Sequence, residues 1–443
     1  MQRSLAIFAL LVFFLGIPCP AAAETTWQVV RNVRLYAGPS TLSDRITTLH
    51  KPERVTGTGA AQQGNYVRVR TTRGEEGWVY VRSVVPVAAP AVSPTATGAA
   101  PTLEPLGAGE MRVHFIDVGQ GAAALLEFQC GAVLIDTGGE QNAECDSNAR
   151  LLAYLTAFFA QRSDLQNTLD LVVLSHPHDD HTRGVTTVLD HFTVRNAVDN
   201  GQTGEGSGSE GQSDLEGYAQ NSSDVGYEEI LLEDIDRTSG KTSAVIDPVN
   251  CTSGDPSIRV LWGQVRANAG LSASAIGNPN NNSVVVRVDY GAASFLLTGD
   301  LQDVAINEMV RRYAGTQLLD VDVYEAGHHG AKNGTTAGLV QAMSPELAVI
   351  SMGQSSRTQS RTAYQYGHPS EQTIRFLESG VSGRRTPIRV PVADGARKFT
   401  EQEISAAIYG TGWDGTVVVT AGVDGTIAVS SSAPGTTLAG VHP

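Results

Sequence analysis

Residues 176–181 read His-Pro-His-Asp-Asp-His, three imidazoles and two carboxylates within six positions. Neutral imidazole and carboxylate are donors suited to a borderline divalent ion such as Zn²⁺. Alternate positions on an extended loop turn His176 and His178 toward one centre, and Asp180 and His181, one register on, face a second. The bland alternative is a polar strand-to-helix loop whose aspartate caps the next helix. Two more clusters weigh against it. Gly299-Asp300 follows the apolar run 294–298, and Gly327-His328-His329-Gly330 follows the run 321–326. The two oxygens of an Asp300 carboxylate can bridge two ions, which an imidazole cannot do. One of His328 or His329 then completes the second site, with His328, the first to leave its strand, slightly preferred.

Positioning such residues takes strands that end together. The run 169–175 (LDLVVLS) is short, β-branched and nearly continuous, which predicts a buried strand directly before His176. The other two clusters also follow apolar runs, so each donor set falls at a strand end. His368 lies in a loop before a helical stretch, 370–377. The segment 408–429 predicts two strands around an Asp-Gly turn, a hairpin closing the domain.

From Met111 to about Val429 the chain resembles the metallo-β-lactamase superfamily, and within it the hydrolase domain of ComEC-type DNA-internalisation proteins. The similar stretches are VHFIDVGQG at 113–121, VLIDTG at 133–138, SHPHDDH at 175–181, NNNSVV at 280–285, LLTGD at 296–300, GHHG at 327–330 and YGHP at 366–369. The resemblance implies an α/β fold, a four-layered αβ/βα sandwich, and a centre of two divalent ions, zinc with manganese as the alternative. The metal ligands would come from His176, His178, Asp180, His181, Asp300, His328 and His329. Asp180 and His368 are the catalytic candidates, His368 by donating to a phosphate or protonating a leaving oxygen. Asn282 is implied as an amide lining the site, and Asp117 and Asp136 as residues that orient ligands. Water bound to such an ion falls from a pKa of roughly 15.7 to about 7 and supplies a hydroxide, while the paired ions neutralise charge on a phosphoryl group. Two departures stand out. Family members commonly carry Asp after Gly-Gln-Gly, where this chain has Ala122, and no histidine lies between His191 and His328. The first site then rests on His176, His178 and Asp300.

Around this domain the chain of 443 residues reads as modular. Arg3, an apolar run over 5–17 and Ala21-Ala22-Ala23 predict a Sec-type signal peptide, residues 1–23, and a secreted or periplasmic protein. Cys19 follows Pro18 and makes a poor lipid-attachment site. No other stretch could span a bilayer, so the transport channel of full ComEC proteins is not expected. Residues 24–86 hold short alternating runs and resemble a bacterial SH3-like β-barrel, which implies peptidoglycan or the cell-wall surface as partner; an inert spacer or a partner-binding barrel is the alternative. Residues 87–109 form an Ala/Pro/Thr-rich linker, residues 110–430 the hydrolase domain, and 431–443 a disordered tail.

Charge divides along the chain. Nine basic and four acidic residues lie between Arg31 and Arg82, whereas Asp199 to Asp236 carries eleven acids and no Lys or Arg. That acidic stretch reads as a solvated loop, with a mobile insertion near the mouth of the site as the alternative. A net charge of −15 argues against broad affinity for DNA. Of Cys130, Cys145 and Cys251, one disulfide and a free thiol are expected, with Cys145–Cys251 as the guessed pair. The reading that follows is a secreted metal-dependent hydrolase acting on phosphodiester bonds. The alternatives are a hydrolase of another ester, such as a phosphorylcholine ester or lactone, and a non-catalytic wall-binding protein.

Overall fold

The computed structural model describes residues 26–29, 33–39, 43–49, 53–58, 63, 66–80, 83–86, 105–202, 206–266 and 270–432. The expected signal peptide, most of the linker and nearly all of the tail lie outside the described residues. Two compact units divide the chain, residues 1–97 and 98–443.

In the first unit seven short strands, from Thr26–Val29 to Val84–Pro86, pair in one all-antiparallel sheet. The strand Tyr66–Thr71 shows why: Val67, Val69 and Thr71 point inward while Arg68 and Arg70 stay in solvent, the period-two pattern of a half-buried strand. Val29, Leu35, Leu49, Val55, Val79 and Val84 complete the small core. Such a sheet is compatible with a small barrel.

The second unit is a four-layered sandwich. One sheet has eight strands, in spatial order Gly226–Glu229, Asn196–Asp199, Leu171–Val173, Ala132–Ile135, Ala124–Glu127, Glu110–Phe115, Val417–Gly422 and Ile427–Ser431. The other has six: Pro256–Trp262, Val285–Tyr290, Ala293–Leu297, Val323–Glu325, Leu347–Ile350 and Ile408–Gly410. Strands buried on both faces divide their side chains between layers. Val133, Ile135, Leu171 and Val173 face the other sheet's core, while Leu134, Val172 and Leu174 pack with the helices Ser147–Gln161, Val185–His191 and Ser209–Gln220. The helices Asp303–Arg312, Ala337–Met343 and Glu371–Gly380 place Ile306, Leu339 and Ile374 in the same core as the second sheet. In each sheet one run of strands is parallel, so their C-terminal ends line one edge. Among the described residues no helix is long and apolar enough to cross a membrane.

Several expectations are corrected. The run 169–175 is not one strand but two, Thr168–Leu169 and Leu171–Val173, because the Asp170 side chain turns aside to accept from the Ala132 amide and Arg195. The acidic stretch is no solvated loop. It contains the helix Ser209–Gln220, which buries Leu215 and Ala219, and the outer strand Gly226–Glu229. Within 408–429, only the hairpin Val417–Gly422 and Ile427–Ser431 closes the first sheet; Ile408–Gly410 belongs to the second. A long hairpin, Arg384–Gly395 with Lys398–Ala406, has no counterpart among the expectations from sequence. The disulfide joins Cys130 to Cys251, Cα atoms 5.4 Å apart. Cys145 is free and buried against the Val118 carbonyl at the start of a helix, which removes it from Cys251.

Candidate metal centre

The strand Leu171–Val173 delivers Ser175 and His176 to the sheet edge, and the chain then enters a single helical turn, Asp179–Thr182. That turn is clamped by its neighbours. Thr137 donates its amide to the His181 carbonyl at 2.7 Å, and Ala122 donates to the Asp180 carbonyl at 3.0 Å. Approach this close requires Gly139, where a Cβ would stand 2.2 Å from Asp180 Cα. From the opposite sheet the turn at Gly299 (φ +52°) seats against Ser175; any side chain there would come within 2.7 Å of its Cβ. The Val284 amide bonds the Ser175 carbonyl and Ser283 Oγ receives the Asp300 amide, so the two sheets present His176 and Asp300 to each other.

Donor atoms gather in two groups around one carboxylate. His176, His178 and Asp300 form the first; Asp180, His181, Asp300 and His329 form the second. Asp300 divides its oxygens between them. Oδ1 lies 3.1 Å from His181 Nε2 and 3.5 Å from His329 Nε2, and Oδ2 lies 3.8 Å from His176 Nε2 and 3.6 Å from His328 Nε2. Asp180 Oδ2 is 3.3 Å from His329 Nε2. Imidazole nitrogens also face one another, His181 Nε2 to His329 Nε2 at 3.2 Å and His176 Nε2 to His178 Nδ1 at 2.9 Å.

These residues fit a pair of divalent ions. Buried polar atoms are normally hydrogen-bonded, yet Asp300 Oδ1 is buried without a hydrogen bond. Each facing pair of ring nitrogens shares one proton without an ion, and a cation between them would take a lone pair from both. Outer partners fix the rings. His181 Nδ1 bonds Asp136 Oδ2 at 2.6 Å and His329 Nδ1 bonds the Ser351 carbonyl at 2.8 Å, leaving both Nε2 atoms for the centre. Asp136 also takes the amide and hydroxyl of Ser175. His329 holds a left-handed backbone conformation, φ +53°, uncommon for a residue other than glycine.

Electrostatics separates the two groups. Burial lowers the pKa of His176 and His178; the neighbouring His181 pushes His176 down further. Burial also opposes charge on His181 and His329, but the Asp300 carboxylate, joined by Asp136 for His181 and Asp180 for His329, raises both above the ordinary imidazole value. Against its own burial, Asp300 is held well below the usual carboxylate range by His329 and His181.

Each expected residue has a place. The second group takes His329, where order along the chain favours His328. His328 turns outward to Asn333 and touches Asp300 only from the first-group side. A chain leaving a strand through two consecutive left-handed residues, His328 and His329, reverses the order in which rings reach the site. Asn282 does not line it. Its amide is spent on backbone, taking the Val265 amide and donating to Ile276 and Asn278, while Asn280 stands 3.5 Å from His328. Asp136 contacts a donor directly, whereas Asp117 holds Arg150 and the Gly119 amide. His368 Nδ1 sits 3.2 Å from Gln120 Nε2, and Gln120 Oε1 accepts from Gly353. That leaves His368 Nε2 carrying the proton. Burial, then His329 and His328, push the ring down to about 3, so it donates a hydrogen bond and is a poor proton source.

Sequence reasoning missed Gln120, although it stands in the Gly-Gln-Gly run. It also missed Glu325, which takes the Ser351 hydroxyl at 2.6 Å and whose carboxyl burial pushes up to about 7. Nothing local marked Glu325, because its partner is a strand away.

A sandwich with donors gathered at one edge of both sheets is the architecture of a class of metal-dependent hydrolases. Residues 116–354 match the family described as the metallo-beta-lactamase superfamily, and the chain belongs to it. Among curated relatives, ComE operon protein 3 of Bacillus subtilis is 26% identical over 282 residues, 61% of this chain and 31% of that protein. Recombination protein 2 of Haemophilus influenzae is 28% identical over 243 residues, 55% of this chain and 24% of that protein. These relatives are ComEC-type proteins, and the chain spans less than a third of their length. Among solved structures, the metallo-beta-lactamase fold protein YhfI from Bacillus subtilis aligns at 13% identity and a TM-score of 0.33, covering 62% of this chain and 94% of that one.

Proposed function

We propose that the chain is an exported phosphodiesterase working with two divalent ions, zinc or else manganese. The observation that carries this reading is the division of Asp300, one oxygen toward each donor group. Paired ions at such a carboxylate supply an acidified water and clamp the oxygens of an in-line displacement. His176 and His178 with Asp300 Oδ2 would hold one ion; Asp180, His181 and His329 with Oδ1 would hold the other. His368, a neutral Nε2–H donor, would meet a phosphoryl oxygen and strengthen its bond as charge grows there. Asp136 and Ser351 keep two rings aimed and exclude the wrong tautomer. Names given to relatives, among them a recombination protein and Competence protein ComA of Neisseria gonorrhoeae, 33% identical over 112 residues, agree with a nucleic acid substrate.

Residues 1–23 would direct export and the N-terminal strand unit would hold the protein at the cell wall. Purified protein should contain about two ions per chain and turn over bis-p-nitrophenyl phosphate or an oligonucleotide. Turnover of lactones or phosphorylcholine esters alone would replace the phosphodiester reading, and a metal-free, inert protein would end the catalytic one. Recovery of the full chain with isolated peptidoglycan tests the tether.

A further inference from the structure

A cavity of about 530 Å³ opens beside the donor cluster, with His328 and His368 in its wall, a volume within the roughly 300–1,000 Å³ of ligand pockets. Three rings lead into it. His329 and His368 stack with centroids 6.1 Å apart, and His368 and Tyr366 stack at 5.7 Å. Tyr366 ends the short helix Ala363–Tyr366 and is 44% exposed. A single exposed aromatic is ordinary on a protein surface. Tyr366 differs because one face continues a ring column from the candidate ligands while the side chain also lines the cavity.

The charges in the same wall are uneven. Lys332 and Arg375 line the cavity, and among the described residues neither has an ion-pair partner. Of the two facing carboxylates, Glu371 and Asp394, the second is already bonded to Lys398. In a chain of net charge −15, two unpaired cations beside the centre favour an anion.

We propose that this cavity is a nucleotide subsite, in which Tyr366 stacks the unpaired base next to the phosphodiester and Lys332 and Arg375 meet the following phosphate. This rests on the phosphodiester reading above and adds a preference to it. A base in a duplex is stacked on its neighbours, so only an unpaired strand offers Tyr366 a free face.

The test uses the metal-loaded full chain and deoxydinucleotides carrying both bases, or lacking the 5′ or the 3′ base. Tyr366→Ala should raise KM for the intact dinucleotide about 5- to 150-fold, the range of one base–aromatic stack. Tyr366→Trp should restore it. For wild type, one of the two base-lacking substrates should show a similar loss, and that loss should not compound with Tyr366→Ala. Lys332→Gln and Arg375→Gln should each flatten the salt dependence of binding to a phosphorothioate oligonucleotide, by about 0.7 in logarithmic slope for each phosphate no longer neutralised. If wild type cleaves and the Ala and Trp variants share its KM, the subsite falls while the phosphodiester reading stands. Equal loss in Ala and Trp variants would also overturn it, since packing on His368 rather than stacking would then explain Tyr366. A wild type that neither cleaves the dinucleotide nor binds the oligonucleotide would remove both readings together.

Discussion

The two donor groups share Asp300 yet differ in how the protein prepares them. In the second, His181 and His329 are each tied through Nδ1 to a fixed acceptor, Asp136 Oδ2 or the Ser351 carbonyl, and both rings are made more basic by the carboxylates around them. In the first, His176 has only the Ser175 hydroxyl at 3.1 Å, a group already shared with Asp136 and His181, and His178 is less buried. Its rings are made less basic by burial. An ion entering the second group competes with protons held more tightly than usual, and one entering the first competes with protons held more loosely. Affinity and readiness are thus divided between neighbours: the second group offers the stronger, better-oriented donors, the first the ones free at neutral pH.

Removing the shared carboxylate should have the largest effect. Asp300→Asn keeps the shape and deletes the charge both groups use, so metal analysis should show loss of at least one ion, and turnover should fall by more than the about 10- to 100-fold that an outer partner costs. Full metal and activity in this variant would reduce Asp300 to a turn residue. Next come the paired histidines. His329→Ala should empty the second group, whereas His328→Ala should keep both ions and lose rate; the same metal content in both would dissolve the distinction between them. Asp136→Asn leaves every candidate ligand in place and should weaken binding mainly at the second group, by about 10- to 100-fold in a competition titration, with a smaller loss at the first through Ser175. A matched loss at the first group would mean that the groups are not separable.

Proton release gives the smallest signal and the sharpest contrast. The carboxylates around His181 and His329 hold both rings above the ordinary imidazole value, so without an ion these two keep their protons to higher pH and release them when an ion binds. His176 and His178 titrate below it and are already neutral. Calorimetry in buffers of different ionisation enthalpy should therefore find proton release with one of the two binding steps and almost none with the other. As pH falls below the raised values, the second step should weaken first. Equal release in both steps would contradict the difference drawn here.

Strand ends carrying His176, Asp300 and the His328-His329 pair were legible because apolar runs and donor residues alternate locally. What was not legible depended on partners far away in sequence. The choice between His328 and His329 turns on two positive φ angles, and no residue type announces them. Three successive asparagines look alike, yet Asn282 faces backbone and Asn280 faces His328. The helix Ser209–Gln220 hid in a stretch rich in Gly, Ser and acids, where only Leu215, Ala219 and the partly buried Tyr218 mark an apolar face. Cys251 could be paired with Cys130 only once the chain was folded.

The hairpin at the end of the second unit has a consequence for the order in which the molecule is made. Strand Glu110–Phe115 lies between Ala124–Glu127 and Val417–Gly422. Every candidate ligand has therefore emerged from synthesis well before the neighbour of that first strand exists. Until it arrives, Met111, Val113 and Phe115, all buried in the finished sheet, belong to an open edge able to pair with another chain. A chain stopped at Gly410 would hold all the donors and still offer that edge to its neighbours.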